Sequence, residues 1–172
     1  GTATVLEVVT ARRIPLVCGV SGLGEAEFVA LDNAADVIPV VYDRNMSRGI
    51  AALNGVLTRL VTALGPDYSM AITETHHVHK KDAPSGTALM LGETLAKARR
   101  MPLEDIPIAS ERRGDVPGEH TVTLSSTSEN LALTHAVTTR DVFAEGAVFA
   151  AEWVVSQPSG RYSMQDVLFS GA

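Results

Sequence analysis

The sequence predicts an α/β (α+β) fold with two sheets, one parallel and one mixed or antiparallel. In residues 1–100, short β-branched strands alternate with apolar patterns of helical period, which favours a parallel sheet with right-handed crossovers. Beyond Met101-Pro102 the apolar residues alternate over several short segments. This second pattern favours strands that pair with their neighbours in sequence.

The elements of the first hundred residues follow from local patterns. Helices are expected at 2–13, 25–35, 50–64 and 88–100, and strands at 16–20, 37–42 and 68–72. The helix from Ile50 is the clearest, because its apolar residues share one face and Ser47 and Gly65-Pro66 supply start and stop signals. Since the carboxyl ends of parallel strands meet at one edge, segments 19–22 and 43–47 should lie side by side.

The remaining residues predict a sheet followed by helices. Strands are expected at 108–112, 121–126 and 131–137, with a hairpin-like turn at 128–130, and helices at 141–156 and 164–168. Gly146 should permit close packing of the longer helix. An extended sheet with one apolar face also invites pairing with further copies of the chain.

Composition restricts the function. The net charge of −6 and the pI near 5.3 argue against a general nucleic-acid-binding protein, which needs a basic face. No apolar run reaches the roughly 18 residues of a membrane span, and no signal-peptide pattern opens the sequence. The single cysteine, Cys18, is expected to be a buried strand residue, which is compatible with a reducing cytosol and a cytoplasmic location.

Most of the side chains that could transfer a proton or bind an anion lie between Glu74 and Ala88. This stretch contains three histidines and two lysines, namely His76, His77, His79, Lys80 and Lys81. Asp82-Ala-Pro-Ser-Gly-Thr87 then turns the chain into a helix, whose first N–H groups at Ser85-Gly86-Thr87 are expected to form an anion cradle. Such a set suits a small carboxylate or phosphate that must also receive a proton. The alternative interpretation is a charged loop before a capped helix.

These residues also resemble a known family signature. Glu74 and His76-His77-x-x-Lys80-x-Asp82-Ala-Pro-Ser-Gly-Thr-Ala88 resemble the central motif of dihydrodipicolinate reductases, also called 4-hydroxy-tetrahydrodipicolinate reductases, of bacterial and plant lysine biosynthesis. Further pieces of the family pattern occur in order: Asn45-Met-Ser-Arg-Gly49, Arg113-Gly114, Gly118-Glu-His-Thr-Val122, Thr134-His135, Arg140-Asp-Val-Phe143, Gly146 and Gly160-Arg-Tyr-Ser-Met-Gln-Asp-Val-Leu168. The resemblance extends from about Ile14 to Leu168.

The resemblance implies an enzyme that transfers a hydride from NADPH or NADH to a cyclic imine dicarboxylate, giving tetrahydrodipicolinate. It implies a partial Rossmann-like dinucleotide-binding domain at 1–46 and 140–172, and a substrate-binding domain at 47–139 whose sheet builds a homotetramer. The implied catalytic residues are His76 and Lys80, and the implied substrate-binding residues are His77, Ser85, Gly86 and Thr87. The implied cofactor-binding residues are Gly19, Val20, Ser21, Gly22, Asp43, Arg44 and Asn45, and no metal is expected.

The dinucleotide part departs from the family pattern. No G-x-G-x-x-G follows an opening strand, so the glycine-rich phosphate turn and the ribose-reading residue are expected upstream of residue 1. The family usually has Gly-Thr-Thr-Gly and Asn-Phe-Ser where this chain has Gly19-Val-Ser-Gly22 and Asn45-Met-Ser47. The choice between NADH and NADPH stays open, because the residue that reads the ribose is not in this sequence.

Several other polar residues are expected to have structural roles. His120 and His135 lie in strand patterns and should be sheet-face residues, and Arg140, which precedes the last long helix, should have a structural role. Glu74, at the end of a strand, should orient a neighbouring histidine or lysine.

Two other classes of function stay open. The first is a non-catalytic homologue that keeps the carboxylate pocket and the assembly sheet but holds no dinucleotide. The second is a metal hydrolase that uses His76, His77 and His79. Neighbours in an extended segment point to opposite faces, so His77 and His79 could converge but His76 would not.

Overall fold

The computed structural model describes residues 1–170, and it divides into two compact units. Unit 1 comprises Gly1–Ala51 and the described residues from Asp141 onward, and unit 2 comprises Ala52–Arg140. The division falls within a helix, at 51/52, where the sequence placed a boundary at 46/47. Residues 171 and 172 of the predicted first domain lie outside the described residues.

The helices and strands alternate along most of the chain. In order they are α1 (Thr2–Ala11), β1 (Leu16–Cys18), α2 (Glu25–Ala35), β2 (Pro39–Tyr42), α3 (Arg48–Leu64), β3 (Ser69–His76), α4 (Gly86–Arg99), a 3-10 turn (Leu103–Asp105), β4 (Ile108–Arg112), β5 (Glu119–Ser125), β6 (Asn130–Ala136), α5 (Asp141–Val154), β7 (Gly160–Tyr162) and α6 (Met164–Phe169). No helix within residues 1–170 is long and apolar enough to cross a membrane.

Unit 1 is built on a parallel sheet in the order β1-β2-β7. Cys18 is paired with Tyr42 at the carboxyl ends of β1 and β2, so the loops at 19–22 and 43–47 share one edge as predicted. Cys18 is itself buried in β1, again as predicted. The sequence prediction missed β7, because Gly160–Tyr162 is too short to show a period-2 pattern.

Unit 2 is built on a mixed sheet in the order β4-β3-β5-β6. Strands β3 and β4 run parallel, whereas β3 with β5 and β5 with β6 run antiparallel. A short turn at Ser126–Glu129 joins β5 to β6, where the Ser126 hydroxyl accepts from the N–H groups of Ser128 and Glu129. The predicted strands at 108–112, 121–126 and 131–137 are confirmed to within two residues.

The core of unit 2 lies on one face of this sheet. Helix α4 contributes Leu91 and Leu95, both fully buried, and these pack with Ile72 of β3 and Val122 of β5. The predicted apolar stripe of α3 joins the same core through Leu57 and its neighbours. This packing fixes α4 against β3, so the start of the helix lies in the same unit as the strand end that carries Glu74 and His76.

The other face of the sheet in unit 2 includes a patch of small side chains, here called the small-residue face. Its residues are Ala71, Thr73, Thr121, Thr123, Ala132 and Thr134, and Glu111 and Glu119 lie on the same side in register with Thr75. The small residues are all partly or fully exposed, and the hydroxyls of Thr121 and Thr134 lie 2.8 Å apart across β5 and β6. Exposed small side chains allow the surface of another protein to approach the sheet closely.

Gly146 in α5 is the tightest glycine contact of unit 1. A Cβ at this position would lie 1.8 Å from the backbone oxygen of Met46, so only glycine fits without backbone movement. The close packing predicted from the sequence is therefore confirmed, and it secures the segment between β2 and α3 against α5.

We expect Gly146→Ala to lower the stability of unit 1 by about 1–3 kcal/mol, because the added methyl overpacks a contact between two backbones. Helix propensity alone predicts the opposite sign, a gain of about 1 kcal/mol. Urea unfolding followed through the fluorescence of Trp153, the single tryptophan, measures the change. Gly22→Ala, where a Cβ meets nothing within 4 Å, is the control, and equal midpoints for the two variants would contradict the prediction.

Candidate functional site

The carboxylate of Glu74 is the centre of a polar cluster at the carboxyl end of β3. Only 1% of the surface of Glu74 is exposed to solvent. Strand alternation places Glu74 and His76 on the same face, and the parallel register places His76 opposite Arg112 at the end of β4. The turn before α4 brings Ser85 against the same carboxylate.

Glu74 accepts hydrogen bonds on both oxygens. Arg112 donates from Nη1 to Oε2 at 3.0 Å and from Nη2 to Oε1 at 2.9 Å, a bidentate pair. The Nδ1 atom of His76 lies 2.5 Å from Oε2, and the backbone N–H of Ser85 donates to Oε1 at 3.2 Å. A single carboxylate thus joins β3, β4 and the start of α4.

Glu74 is ionised at neutral pH. Burial raises its pKa, but hydrogen bonds from Arg112, Ser110 and His76 outweigh burial and lower the pKa to about 2. An ionised carboxylate only accepts hydrogen bonds, so the proton of a neutral His76 must lie on Nδ1. The Nε2 atom then carries the lone pair, next to Gly118, where a Cβ would lie 3.0 Å away.

His76 is mainly neutral at neutral pH. Burial lowers its pKa, Glu74 partly offsets this effect, and the nearby charges of Lys80 and Arg112 lower the pKa further. His76 therefore acts at neutral pH as an oriented imidazole with its acceptor at Nε2.

His120 belongs to the same cluster, although the sequence suggested only a sheet-face residue. Its ring lies edge-on to His76 with centroids 5.1 Å apart, and its Nε2 lies 2.9 Å from the hydroxyl of Ser85. Burial, followed by the charge of His76, lowers the pKa of His120 to about 4. His120 is thus a neutral, buried partner of the helix cap.

The predicted anion cradle lies at the start of α4. Ser85 is the N-cap: its hydroxyl accepts from the N–H of Ala88 at 3.1 Å, and its own N–H is directed to Glu74. Gly86 is exposed, and a Cβ there would meet nothing within 4 Å, so a ligand can approach its backbone. In this structure Ser85 holds the helix start, while Gly86 and Thr87 form its outer surface.

The segment at 77–82 supplies cations beside the helix start. The ammonium of Lys80 lies 2.8 Å from a carboxylate oxygen of Asp82, and the Lys80 side chain is 21% exposed. The Nε2 atom of His77 lies 3.2 Å from Nη2 of Arg140. His77 is therefore a structural partner of Arg140, for which the sequence predicted a structural role.

The rings of His77 and His79 have centroids 6.2 Å apart. They lie in a turn closed by a hydrogen bond from the Lys80 N–H to the His77 carbonyl, and not in the extended segment that the sequence argument assumed. His76 is held by Glu74 instead. Within residues 1–170, no group of three or more His, Cys, Asp and Glu side chains is arranged to hold a metal ion. The geometry gives the metal-hydrolase alternative no support.

The predicted cofactor-binding residues lie together at the edge of the sheet in unit 1. Segment 19–22 is exposed, and Gly22 has open space around its Cα. The side chain of Asp43 accepts from the N–H groups of Asn45 and Met164, at 3.3 and 3.2 Å. The amide oxygen of Asn45 accepts from Ser47. Asp43 and Asn45 thus shape the loop at this edge through hydrogen bonds to backbone N–H groups.

Arg112 is the residue of this site that the sequence prediction overlooked. It lies next to the Arg113-Gly114 pair, and no spacing rule distinguishes one arginine from the other. The signal was the strand register: alternation along β4 directs Arg112 to the face of Glu74 and His76, and only pairing with β3 shows which residues it meets.

The low pKa of His120 predicts a loss of stability in mild acid. Between pH 6.5 and 4 the unfolded chain binds a proton that the folded chain excludes, so stability falls as pH falls through this window. The loss is on the order of 3 kcal/mol for His120 alone, and His76 and His135, whose pKa values are also lowered, add to it.

We expect urea unfolding at a series of pH values to give a flatter pH dependence for His120→Gln than for the unsubstituted chain. The exposed His79 provides the matched control, and His79→Gln should retain the steep dependence. Equal slopes for His120→Gln and the unsubstituted chain would contradict the prediction.

Comparison with known proteins gives consistent matches. The family model for the C-terminus of dihydrodipicolinate reductase matches residues 49–168. The 4-hydroxy-tetrahydrodipicolinate reductase of Pseudoalteromonas translucida (strain TAC 125) is 40% identical over 185 residues, which cover 98% of this chain and 69% of the relative. That of Helicobacter hepaticus (strain ATCC 51449 / 3B1) is 41% identical, with 97% of this chain and 72% of the relative covered.

A solved structure agrees in fold. The dipicolinate-bound dihydrodipicolinate reductase from Paenisporosarcina sp. TG-14 has a TM-score of 0.80 and 19% sequence identity, and the match covers 97% of this chain and 69% of that chain. The cluster around Glu74 lies within the matched residues 49–168. The chain therefore belongs to the dihydrodipicolinate reductase family.

Proposed function

We propose that this chain carries the substrate site of a reductase that transfers a hydride from NADPH or NADH to a cyclic imine dicarboxylate, 4-hydroxy-tetrahydrodipicolinate, which loses its 4-hydroxyl group as water to give tetrahydrodipicolinate. The reaction would serve the biosynthesis of lysine and diaminopimelate. The observation that carries the proposal is the Glu74 cluster, which holds an imidazole, an ammonium-bearing loop and a helix start in one unit.

The start of α4 is the proposed site for a substrate carboxylate. The backbone N–H groups at a helix start and the helix dipole favour an anion, and Gly86 leaves its backbone accessible. Thr87 and His77 would contribute side-chain donors, and Ser85 would keep the helix start in place through its cap. The dipicolinate-bound relative supports the ligand class, because dipicolinate is a planar dicarboxylate.

The proposed proton donors are Lys80 and His76. Hydride addition leaves negative charge on the substrate, which a nearby ammonium stabilises and a proton then neutralises. Lys80 carries three N–H donors, whereas a neutral His76 offers an acceptor at Nε2 and must first take up a proton. We therefore assign direct proton donation to Lys80, and to His76 the orientation or relay of that proton.

When bound, a reduced nicotinamide supplies the hydride. Gly19, Val20, Ser21 and Gly22 would line its nicotinamide side, with Asp43, Arg44 and Asn45 on the adjacent loop. Open space around Gly22 supports this placement.

A homotetramer is the proposed assembly. The small-residue face of the sheet in unit 2 and the exposed edge strand β6 support contact between copies of the chain. The alternative function is a non-catalytic homologue that binds dicarboxylates or assembles through this sheet without reducing a substrate.

We expect the chain to bind pyridine-2,6-dicarboxylate, a planar substrate mimic, and Lys80→Ala to bind it at least about tenfold more weakly because a cation facing the anion is lost. Isothermal titration with and without NADPH or NADH measures both ligands. Lys81→Ala is the matched control, since Lys81 is the neighbouring, exposed lysine, and it should retain most of the affinity.

The outcomes of this titration separate the two functions. Binding of dicarboxylate together with cofactor supports the reductase, whereas dicarboxylate binding without cofactor binding supports the non-catalytic alternative. If neither ligand binds, or if Lys80→Ala binds as well as the unsubstituted chain, the proposed substrate site is wrong.

We expect sedimentation velocity to show a species of about four times 18.2 kDa. Ala132→Glu, which places a charge on the small-residue face beside Thr123, should dissociate it, and Thr127→Glu in the exposed turn should not. A monomeric unsubstituted chain would contradict the proposed assembly.

A further inference from the structure

We propose that Arg112 is a positioning residue of the reductase site: it locks the Glu74 carboxylate in the orientation that holds both His76 and the start of α4. The inference rests on the proposed function for its role in catalysis, but the geometry that supports it lies entirely within unit 2. Arg112 itself need not touch the substrate.

The buried charge of Glu74 depends on Arg112 for its pairing. An ionised carboxylate that is 1% exposed must be paired, because an unpaired buried charge costs several kcal/mol. Arg112 contacts both carboxylate oxygens, at 3.0 and 2.9 Å, and this fork fixes the plane of the carboxylate as well as its charge. Without the fork the plane of the carboxylate is held only by the donors of His76, Ser85 and Ser110.

The plane of the Glu74 carboxylate determines which groups its oxygens can contact. Besides Arg112, the side chain of Ser110 also donates to this carboxylate. Two further contacts hold parts of the site: Oε2 meets Nδ1 of His76 at 2.5 Å, and Oε1 accepts from the N–H of Ser85 at 3.2 Å. Rotation of the carboxylate would break both contacts together. The orientation of the imidazole and the position of the helix start are therefore set by one side chain on another strand.

Arg112 also contacts the loop before α4 directly. Nη2 of Arg112 also donates to the backbone oxygen of Asp82 at 2.5 Å. Asp82 pairs with Lys80 through its side chain, so the same arginine restrains the segment that carries the proposed proton donor. Arg112 thus connects the three parts of the site: the imidazole, the ammonium and the helix start.

An arginine is required for this arrangement. The guanidinium offers donors in a planar fork, and here they meet two carboxylate oxygens and a carbonyl at once. A lysine ammonium is a point charge that cannot hold the carboxylate plane. Arg112→Lys therefore keeps the charge and removes the orientation, which makes it the informative substitution.

The charged and titratable groups around His76 are Glu74, Lys80, Arg112 and His120. Removing the positive charge with Arg112→Met should raise the pKa of His76, and removing the negative charge with Glu74→Gln should lower it.

The test measures the tautomer and the pKa of His76 by NMR of imidazole ¹⁵N-labelled protein, without any ligand. The unsubstituted chain should show one neutral tautomer with the proton on Nδ1. Arg112→Lys should show a mixture of the two tautomers, and Arg112→Met should in addition show the raised pKa. Arg113→Met is the matched control, because the exposed Arg113 lies 3.8 Å from Glu111, and it should leave the His76 signals unchanged.

A second measurement connects the orientation to the ligand. Arg112→Lys should bind pyridine-2,6-dicarboxylate about tenfold to a hundredfold more weakly, since the helix start and the ammonium are displaced by a fraction of an ångström or more. If Arg112→Met does not fold, Arg112→Lys alone decides the result through the tautomer.

One neutral tautomer in folded Arg112→Lys, or a tautomer mixture in Arg113→Met as well, would overturn the proposal. Because the NMR measurement needs no ligand, it separates this proposal from the proposed function. A chain that shows the predicted tautomers but binds no dicarboxylate would refute the function and leave the positioning role intact.

Discussion

A buried carboxylate charge is the constraint on which the site depends. Glu74 lies at the end of a central strand, where water cannot solvate it, and its ionised form persists only because Arg112 and other donors surround it. The same constraint fixes the geometry of the cluster, because every group that donates a hydrogen bond to the carboxylate is held in place by that bond. Breaking the pair would cost more than it contributes on formation, since one unpaired buried charge would be left behind.

The fold of unit 2 brings the members of this cluster together from distant positions in sequence. Strand β3 carries Glu74 and His76, parallel pairing brings Arg112 beside them, and antiparallel pairing places His120 opposite Glu74. The apolar contacts of α4 with β3 and β5 hold the helix start against the same strand end. Core packing and site geometry are thus two consequences of the same arrangement of strands.

The sequence was sufficient for the parts of the fold that have a local cause. Helix α2 and strand β4 were predicted with their observed ends, and the stripe of α3 and the contact at Gly146 were correct. The residues from Glu74 to Thr87 showed where the polar groups of the site would gather.

Long-range contacts could not be predicted from local patterns. Strand β7 forms through pairing with β2, and Arg112 and His120 join the site through register. The partners that the N–H and hydroxyl of Ser85 have in the structure, namely Glu74, Ala88 and His120, also follow from no local pattern. Only the pairing of strands reveals which polar groups satisfy one another within the protein.

The most direct test of the reductase function is an isotope-transfer measurement with the purified chain. The cyclic imine dicarboxylate is incubated with NADPH or NADH that carries deuterium at C4 of the nicotinamide, and the tetrahydrodipicolinate formed is analysed by mass spectrometry. Hydride transfer predicts a product that carries deuterium, formed more slowly by Lys80→Ala. A chain that binds pyridine-2,6-dicarboxylate yet forms no deuterated product with either cofactor would contradict the function and identify a non-catalytic dicarboxylate-binding homologue.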